Sequence, residues 1–224
     1  MPEPLCEQAE RPRERLLRHG AQVLTDAELL ALVLRTGTAA QDAVQMGRAL
    51  LLRFGGLRAL LSADIPALMR QSGLGQAKAC QLAAVLELAR RAAEEELSRG
   101  DALKDPRRVK HYCSLLLGHQ PVEHCMALYL DSQLRLIGTE ELARGTLSQA
   151  SVYPREVVRA ALRHHAAAVI LTHNHPSGSL QPSLADQHLT RQLKQALALV
   201  DVRLLDHMVV GGGQAVSMAE LGML

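Results

Sequence analysis

The stretch whose reading decides the second half of the chain is LTHNHPSGSLQPSLAD, residues 171–186. Apolar residues from Ala166 to Ile170 lead into it, the hydrophobicity stops at Thr172, and two histidines, a proline, a glycine and an aspartate follow. On extended backbone, residues two apart point to the same side, and Pro176 biases His175 away from helix. The imidazoles of His173 and His175 can therefore reach one point beyond the end of a strand. By itself, an H-x-H pair is as compatible with a polar loop as with a metal.

Asp186 adds weight to the metal. The helix that follows carries its apolar stripe at Leu189, Leu193, Ala196, Leu197 and Val200, and stepping back three from Leu189 turns Asp186 inward. A buried charge is costly unless it is paired or coordinated. Ser183, three residues earlier, offers a competing reading as a capping box with Asp in place of Glu or Gln, and the two roles can coexist. Two His and one Asp form a mixed nitrogen and oxygen donor set that suits zinc with a fourth position open to water. Zinc lowers the pKa of such a water to roughly 7, so a general base must stand near it. Glu123 begins a strand on the inward face of Cys125 and Ala127, but chemistry alone does not select it over Glu140, Glu141 or Glu156. H-E-x-x-H is absent, and so is the H-x-E with P-C-x-x-C of zinc deaminases.

Outward from this stretch the chain divides by its periodicity. Residues 1–97 read as helices: TDAELLALVLRTG opens on a Thr25/Glu28 capping box and closes at Gly37, and a second helix spans Asp42 to Phe54. A short third helix covers Asp64 to Arg70, and a long amphipathic one follows SGLG. Periodicity is lost in the polar stretch 98–110, which reads as a linker. Residues 111–224 alternate strand and helix. EHCMALYLD is a strand that turns through Asp131-Ser132-Gln133 into a hairpin partner, PREVVRAALRHH a helix, AAAVILT a buried strand, and VRLLDHMVVGGG a last strand with a glycine turn. The fold class is α/β (α+β), with an all-helical first half.

The 224 residues carry 48% apolar, 21% charged and only 2% aromatic side chains, so the cores are aliphatic. Net charge is +2, spread as 13 basic and 12 acidic side chains in residues 1–100 and 12 and 11 in the rest. Neither half has the basic surplus that would imply nucleic-acid binding by itself. Cys6, Cys80, Cys113 and Cys125 form no C-x-x-C pair, no signal-like segment opens the chain, and no apolar run reaches the ~18 residues of a membrane span. A soluble cytoplasmic protein is expected.

The combination of Glu123, His173-x-His175, seven residues, Ser183, two residues and Asp186 resembles the JAMM (MPN-type) metalloprotease signature. With YPREVVRAAL, HNHPSG, PSLAD and LLDHMVVG, and with RPRERLL, DAELLALVLRTGT and FGGLRALL in the first half, the chain resembles more narrowly the bacterial RadC family, historically labelled DNA repair proteins. The resemblance implies that His173, His175 and Asp186 bind zinc, that Glu123 is the base on the water the zinc activates, and that Ser183 places its hydroxyl near a carbonyl oxyanion. It implies a cytidine-deaminase-like mixed sheet flanked by helices for the second half, and a peptide or protein substrate. Tyr153 departs from the histidine expected before Pro-Arg-Glu. His164 and His165 read as surface or packing residues, and Asp206-His207 as a strand end within reach of a hydrogen bond to the site.

MRQSGLGQAKACQLAAVLELA looks like a helix-hairpin-helix, whose glycines and helix N-terminus would let residues 64–96 contact DNA phosphates weakly and without sequence preference, with charge from Lys78. A plain αα-hairpin or a protein-binding surface accounts for the same pattern. Two functions follow: a zinc hydrolase of an amide or isopeptide bond, or a non-enzymatic DNA-associated factor with a structural metal.

Overall fold

The computed structural model describes residues 10–100, 105–145 and 152–224. Cys6 and part of the expected linker, residues 101–104, lie outside the described residues. The chain forms two compact units, Met1–Leu86 and Glu87–Leu224. Cys80, Cys113 and Cys125 are free thiols. Among the described residues, no helix is long and apolar enough to cross a membrane.

The first unit is helical: α1 (Pro12–His19), a short 3-10 turn (Ala21–Val23), α2 (Asp26–Leu34), α3 (Ala43–Phe54), α4 (Leu57–Leu61), α5 (Ile65–Met69) and the start of α6 (Gln76–Arg99). Leu30, Leu34, Met46, Leu50, Leu60, Leu68, Leu74 and Leu82 form its core. Thr25 and Asp42 cap α2 and α3 with complete capping boxes, each satisfying helix N–H groups that have no partner within the helix. α2 stops at Leu34 and not at Gly37, because Arg35 already turns to φ 65°. Gly37 serves a close approach instead: a Cβ there would lie 2.0 Å from the Gln41 carbonyl oxygen. In the SGLG turn, Gly73 has φ +82° and a Cβ would meet Thr38 Cγ2 at 2.3 Å, whereas Gly75 faces open space. Lys78 Nζ donates to the Thr36 and Gly37 carbonyls at 2.7 and 3.1 Å, so its ammonium is tied to its own unit.

The second unit is a five-stranded mixed sheet between helices. Its elements are the end of α6, α7 (Pro106–Leu117), β1 (His124–Leu130), β2 (Leu136–Arg144), α8 (Pro154–Arg163), β3 (Ala168–Asn174), α9 (Leu184–Ala198), β4 (Arg203–Gly211) and β5 (Gln214–Ser217). Strand order is β2-β1-β3-β4-β5, with β3 and β4 parallel and the other pairs antiparallel. Asp131 shapes the β1–β2 hairpin by accepting from Gln133 N and Arg135 N at 2.8 and 2.9 Å. Ala93, Leu97, Val109, Tyr112 and Cys113 cover one face of the sheet, packing on Leu128, Leu130 and Ile170. Val157, Ala161, Leu193 and Leu197 from α8 and α9 cover the other, over Ala127, Val169 and Leu171. Burying each large aliphatic side chain contributes about 1.5–3 kcal/mol, and β3 is buried along its whole length. The architecture is the expected α/β fold with a mixed sheet flanked by helices.

β3 runs two residues beyond the point where its hydrophobicity ends. His173 and Asn174 pair with Val209 and Val210 of β4, and His175 N donates to Val210 O at 2.7 Å. The histidine pair therefore sits at the C-terminal end of a central strand, and α9 starts close by.

Candidate metal centre

His173 and His175 bracket the strand end and point the same way. Nε2 of one ring lies 2.9 Å from Nε2 of the other, and the carboxylate of Asp186 faces both. Asp186 Oδ1 is 3.3 Å from His173 Nε2, and Oδ2 is 3.5 Å from His175 Nε2. The donor atoms of the three residues all lie within 4.8 Å of one another. His173 and Asp186 are fully buried, and the His175 side chain is 13% exposed, so the cluster opens to solvent on one side.

Capping and convergence on the histidines coexist at Asp186. Ser183 caps α9: its backbone N–H and its hydroxyl both donate to Asp186 Oδ2 at 2.7 Å, and its Oγ accepts from Asp186 N at 3.1 Å. Asp186 Oδ1 has no hydrogen-bond partner although it is buried. Burial pushes the Asp186 carboxyl up, but the approach of His173 and His175 and the Ser183 hydroxyl outweigh it, holding the group well below the usual carboxylate range. His175 is held above its ordinary value, chiefly by Asp186 against the opposing effect of burial, with help from the Ser179 carbonyl and the charge of Glu123. The Ser179 carbonyl can only accept, so His175 Nδ1, 3.0 Å away, carries a hydrogen and donates it. A neutral His175 then turns a bare Nε2 to the cluster.

The donor set fits a metal. Two imidazole nitrogens facing each other at 2.9 Å have room for one hydrogen at most, and an orphaned buried carboxylate oxygen stands beside them. A cation at their centre would satisfy all three.

Glu123 immediately precedes β1. Cys125 pairs with His173 across β1 and β3, and continuing that antiparallel register puts position 123 opposite 175. Its charge raises the His175 pKa. The side chain of Asn174, between the two histidines, fixes this end of β1. Its Oδ1 accepts from His124 N at 2.8 Å, and its Nδ2 donates to the Gln120 and Val122 carbonyls at 3.2 and 3.0 Å. Cys125 sits between Glu123 and Ala127, and burial pushes its thiol up to about 12.

The rival carboxylates are engaged elsewhere. Glu140 binds Arg163 and His164, Glu141 binds His124 Nδ1 at 2.8 Å, and Glu156 pairs with Arg155 and Arg159. His164 is a packing residue, stacked on Tyr129 with ring centroids 4.5 Å apart, and His165 is exposed. Tyr153 is exposed at the start of α8, with the Arg155 guanidinium 5.1 Å over its ring. Asp206 and His207 lie in the middle of β4 and not at its end. Asp206 accepts from His207 N at 2.7 Å and from Ser217 Oγ at 2.5 Å. His207 reaches the back of His173, Nε2 to Nδ1 at 2.8 Å, and burial and then repulsion from His173 push its pKa well below the ordinary value. Asn174 and Thr190 are the residues that sequence reasoning missed. The asparagine between two histidines was a signal for the first; Thr190, one turn after Asp186, carried none.

The RadC-like JAB domain family model matches residues 103–223, and the UPF0758 N-terminal family model matches residues 5–80. A UPF0758 protein of Bordetella petrii is 66% identical over 96% of this chain and 96% of its own. One of Bordetella pertussis is 62% identical over 100% of this chain and 99% of its own. One of Azotobacter vinelandii is 57% identical over 96% of each chain.

Proposed function

The chain belongs to the UPF0758 family with a RadC-like JAB domain, and from that premise we propose that it is a zinc-dependent hydrolase of the JAMM type, acting on an amide or isopeptide bond. The observation that carries this reading is the buried, partnerless Asp186 Oδ1 beside the paired Nε2 atoms of His173 and His175. A structural site alone would require neither an opening to solvent nor a carboxylate such as Glu123 at its mouth.

His173, His175 and Asp186 would hold the ion, which supplies a Lewis acid and a water of lowered pKa. Glu123 takes one proton from the attacking water as its oxygen bonds to the carbonyl carbon. It returns that proton to the leaving amine nitrogen as the C–N bond breaks. Ser183 swings its hydroxyl hydrogen from Asp186 Oδ2 to the developing oxyanion, a contribution of about 3 kcal/mol for one well-placed donor. Asn174 keeps Glu123 across from His175 by pinning residues 120–124.

The test uses the full chain. Elemental analysis should find about one zinc per chain, lost in His173→Ala, His175→Ala and Asp186→Ala. A library of fluorogenic peptide amides should be cleaved by the zinc form, and Glu123→Gln should cleave on the order of 100- to 10,000-fold more slowly while keeping its zinc. Unchanged zinc in all three ligand variants overturns the metal site. Loss of zinc from Glu123→Gln makes that residue a ligand. A Glu123→Gln variant that fully supports the protein's biological role gives the non-enzymatic, DNA-associated reading the place of this one.

A further inference from the structure

Behind the cluster runs a line of polar groups that the hydrolytic scheme leaves unused. His173 Nδ1 lies 2.8 Å from His207 Nε2, His207 Nδ1 lies 2.6 Å from Thr190 Oγ1, and Thr190 Oγ1 lies 2.6 Å from the backbone carbonyl oxygen of Asp186. His173 and His207 are fully buried and Thr190 is 1% exposed, so water does not compete for these contacts.

The directions of the three bonds follow from counting hydrogens. A carbonyl oxygen has none to give, and two oxygens 2.6 Å apart need a hydrogen between them. Thr190 therefore spends its one hydroxyl hydrogen on Asp186 and can only accept from His207. The hydrogen of that bond must sit on His207 Nδ1. A neutral ring, the form that full burial favours, then has a lone pair on Nε2, which can only accept from His173. His173 Nδ1 carries the hydrogen, and in a neutral His173 that is the ring's one N–H hydrogen, so Nε2 is left bare. That bare nitrogen is the atom facing His175 Nε2 and Asp186 Oδ1.

We propose that His207 and Thr190 are positioning residues that set the tautomer of His173, so that its Nε2 electron pair is already aimed at the centre of the cluster before any metal arrives. The line is anchored on the main chain of Asp186, whose side chain closes the same cluster from the opposite side. One residue therefore supplies a donor atom and, through Thr190 and His207, dictates the state of another donor. His175 gets its state from a single carbonyl, that of Ser179. At His173 the same part is taken by two side chains, His207 and behind it Thr190.

The inference rests on the zinc reading only for its purpose, since the tautomer can be read without metal. In the metal-free, nitrogen-15-labelled full chain, two-bond proton–nitrogen correlation spectra should show His173 and His207 both carrying hydrogen on Nδ1 and none on Nε2. His207→Ala should mix the His173 tautomers and weaken zinc binding 10- to 100-fold in competition with a chromophoric chelator. His207→Gln should recover most of that loss, because its amide can accept from His173 and donate to Thr190. Thr190→Ser should bind like wild type and Thr190→Val should not. A structural role alone would lower the stability of the metal-free variants and leave the tautomer and zinc affinity untouched. Hydrogen on His173 Nε2 in the metal-free wild type, or wild-type zinc affinity in both His207→Ala and Thr190→Val, overturns the proposal. A wild type with the expected tautomer that binds no zinc would instead overturn the hydrolase reading and leave this one standing.

Discussion

At Asp186 one carboxylate serves two masters because it has two oxygens. Oδ2 takes two hydrogen bonds from Ser183 and starts α9, and Oδ1 is left to the histidines. The sequence offered capping and coordination as two readings that could coexist, without dividing them between the oxygens, since spacing reports on a residue and not on its separate atoms. Asn174 was overlooked for a related reason: the alternation that brings His173 and His175 to one face sends the residue between them to the other, away from the donors. There its side chain makes three hydrogen bonds that tie the β1 entry to β3. Asn174→Ala should strand His124 N and two carbonyls, at a cost of about 1–3 kcal/mol in denaturant unfolding for a buried group left without its partner. It should keep zinc and lose turnover, because Glu123 drifts while the three donors stay. Turnover at the wild-type rate would show that Glu123 needs no such clamp.

Among the elements, the strongest local signals gave the helices with good caps, and the weakest gave the short pieces. α7 was not read from the sequence although Val109, Tyr112, Cys113 and Leu117 fall on one helical face. Lys104, Arg107, Arg108 and Lys110 make its surroundings polar enough to pass for a linker, and only burial against the sheet reveals the stripe. β5 has four residues and is a strand because Gly212 and Gly213, at φ 54° and 82°, fold it back on β4. On α6, Arg90 bridges Glu87 and Glu94 at 2.9 and 2.6 Å, and Arg91 also reaches Glu87. Hydrogen bonds from Arg90 and then Arg91 lower the Glu87 carboxyl from 4.5 to about 2. A carboxyl lowered in the folded state contributes stability above its unfolded value, and that stability is lost as pH falls from 4.5 toward about 2. Glu87 is 42% exposed, so screening limits each pair to a few tenths of a kcal/mol. Arg90→Gln should therefore melt slightly below wild type at pH 7 in low salt, and the gap should close in high salt and as pH drops through that window. A gap that widens on acidification would contradict this account.

For the molecule as a whole, the near-neutral charge and aliphatic composition foretold ordinary aliphatic cores and no more. The change of period from helical to alternating indicated two parts, and the division into compact units falls along the chain between Leu86 and Glu87, inside α6, where a continuous helix offers no break in pattern. The proposed metal donors lie at the end of β3, just after it and in the first turn of α9, all in the second unit, so an ion bound there would stabilise that unit by mass action. At a hundredfold excess of free zinc over its dissociation constant the gain is about 2.7 kcal/mol. Hydrogen exchange followed by mass spectrometry can place that gain along the full chain. Chelation should speed exchange in peptides covering β3, α9 and β4, which hold the donors and His207. Peptides covering α2 and α3, whose core is made from residues of the first unit, should exchange as before. Acceleration spread evenly over both sets would mean that the units unfold as one, and acceleration confined to α2 and α3 would place the metal elsewhere.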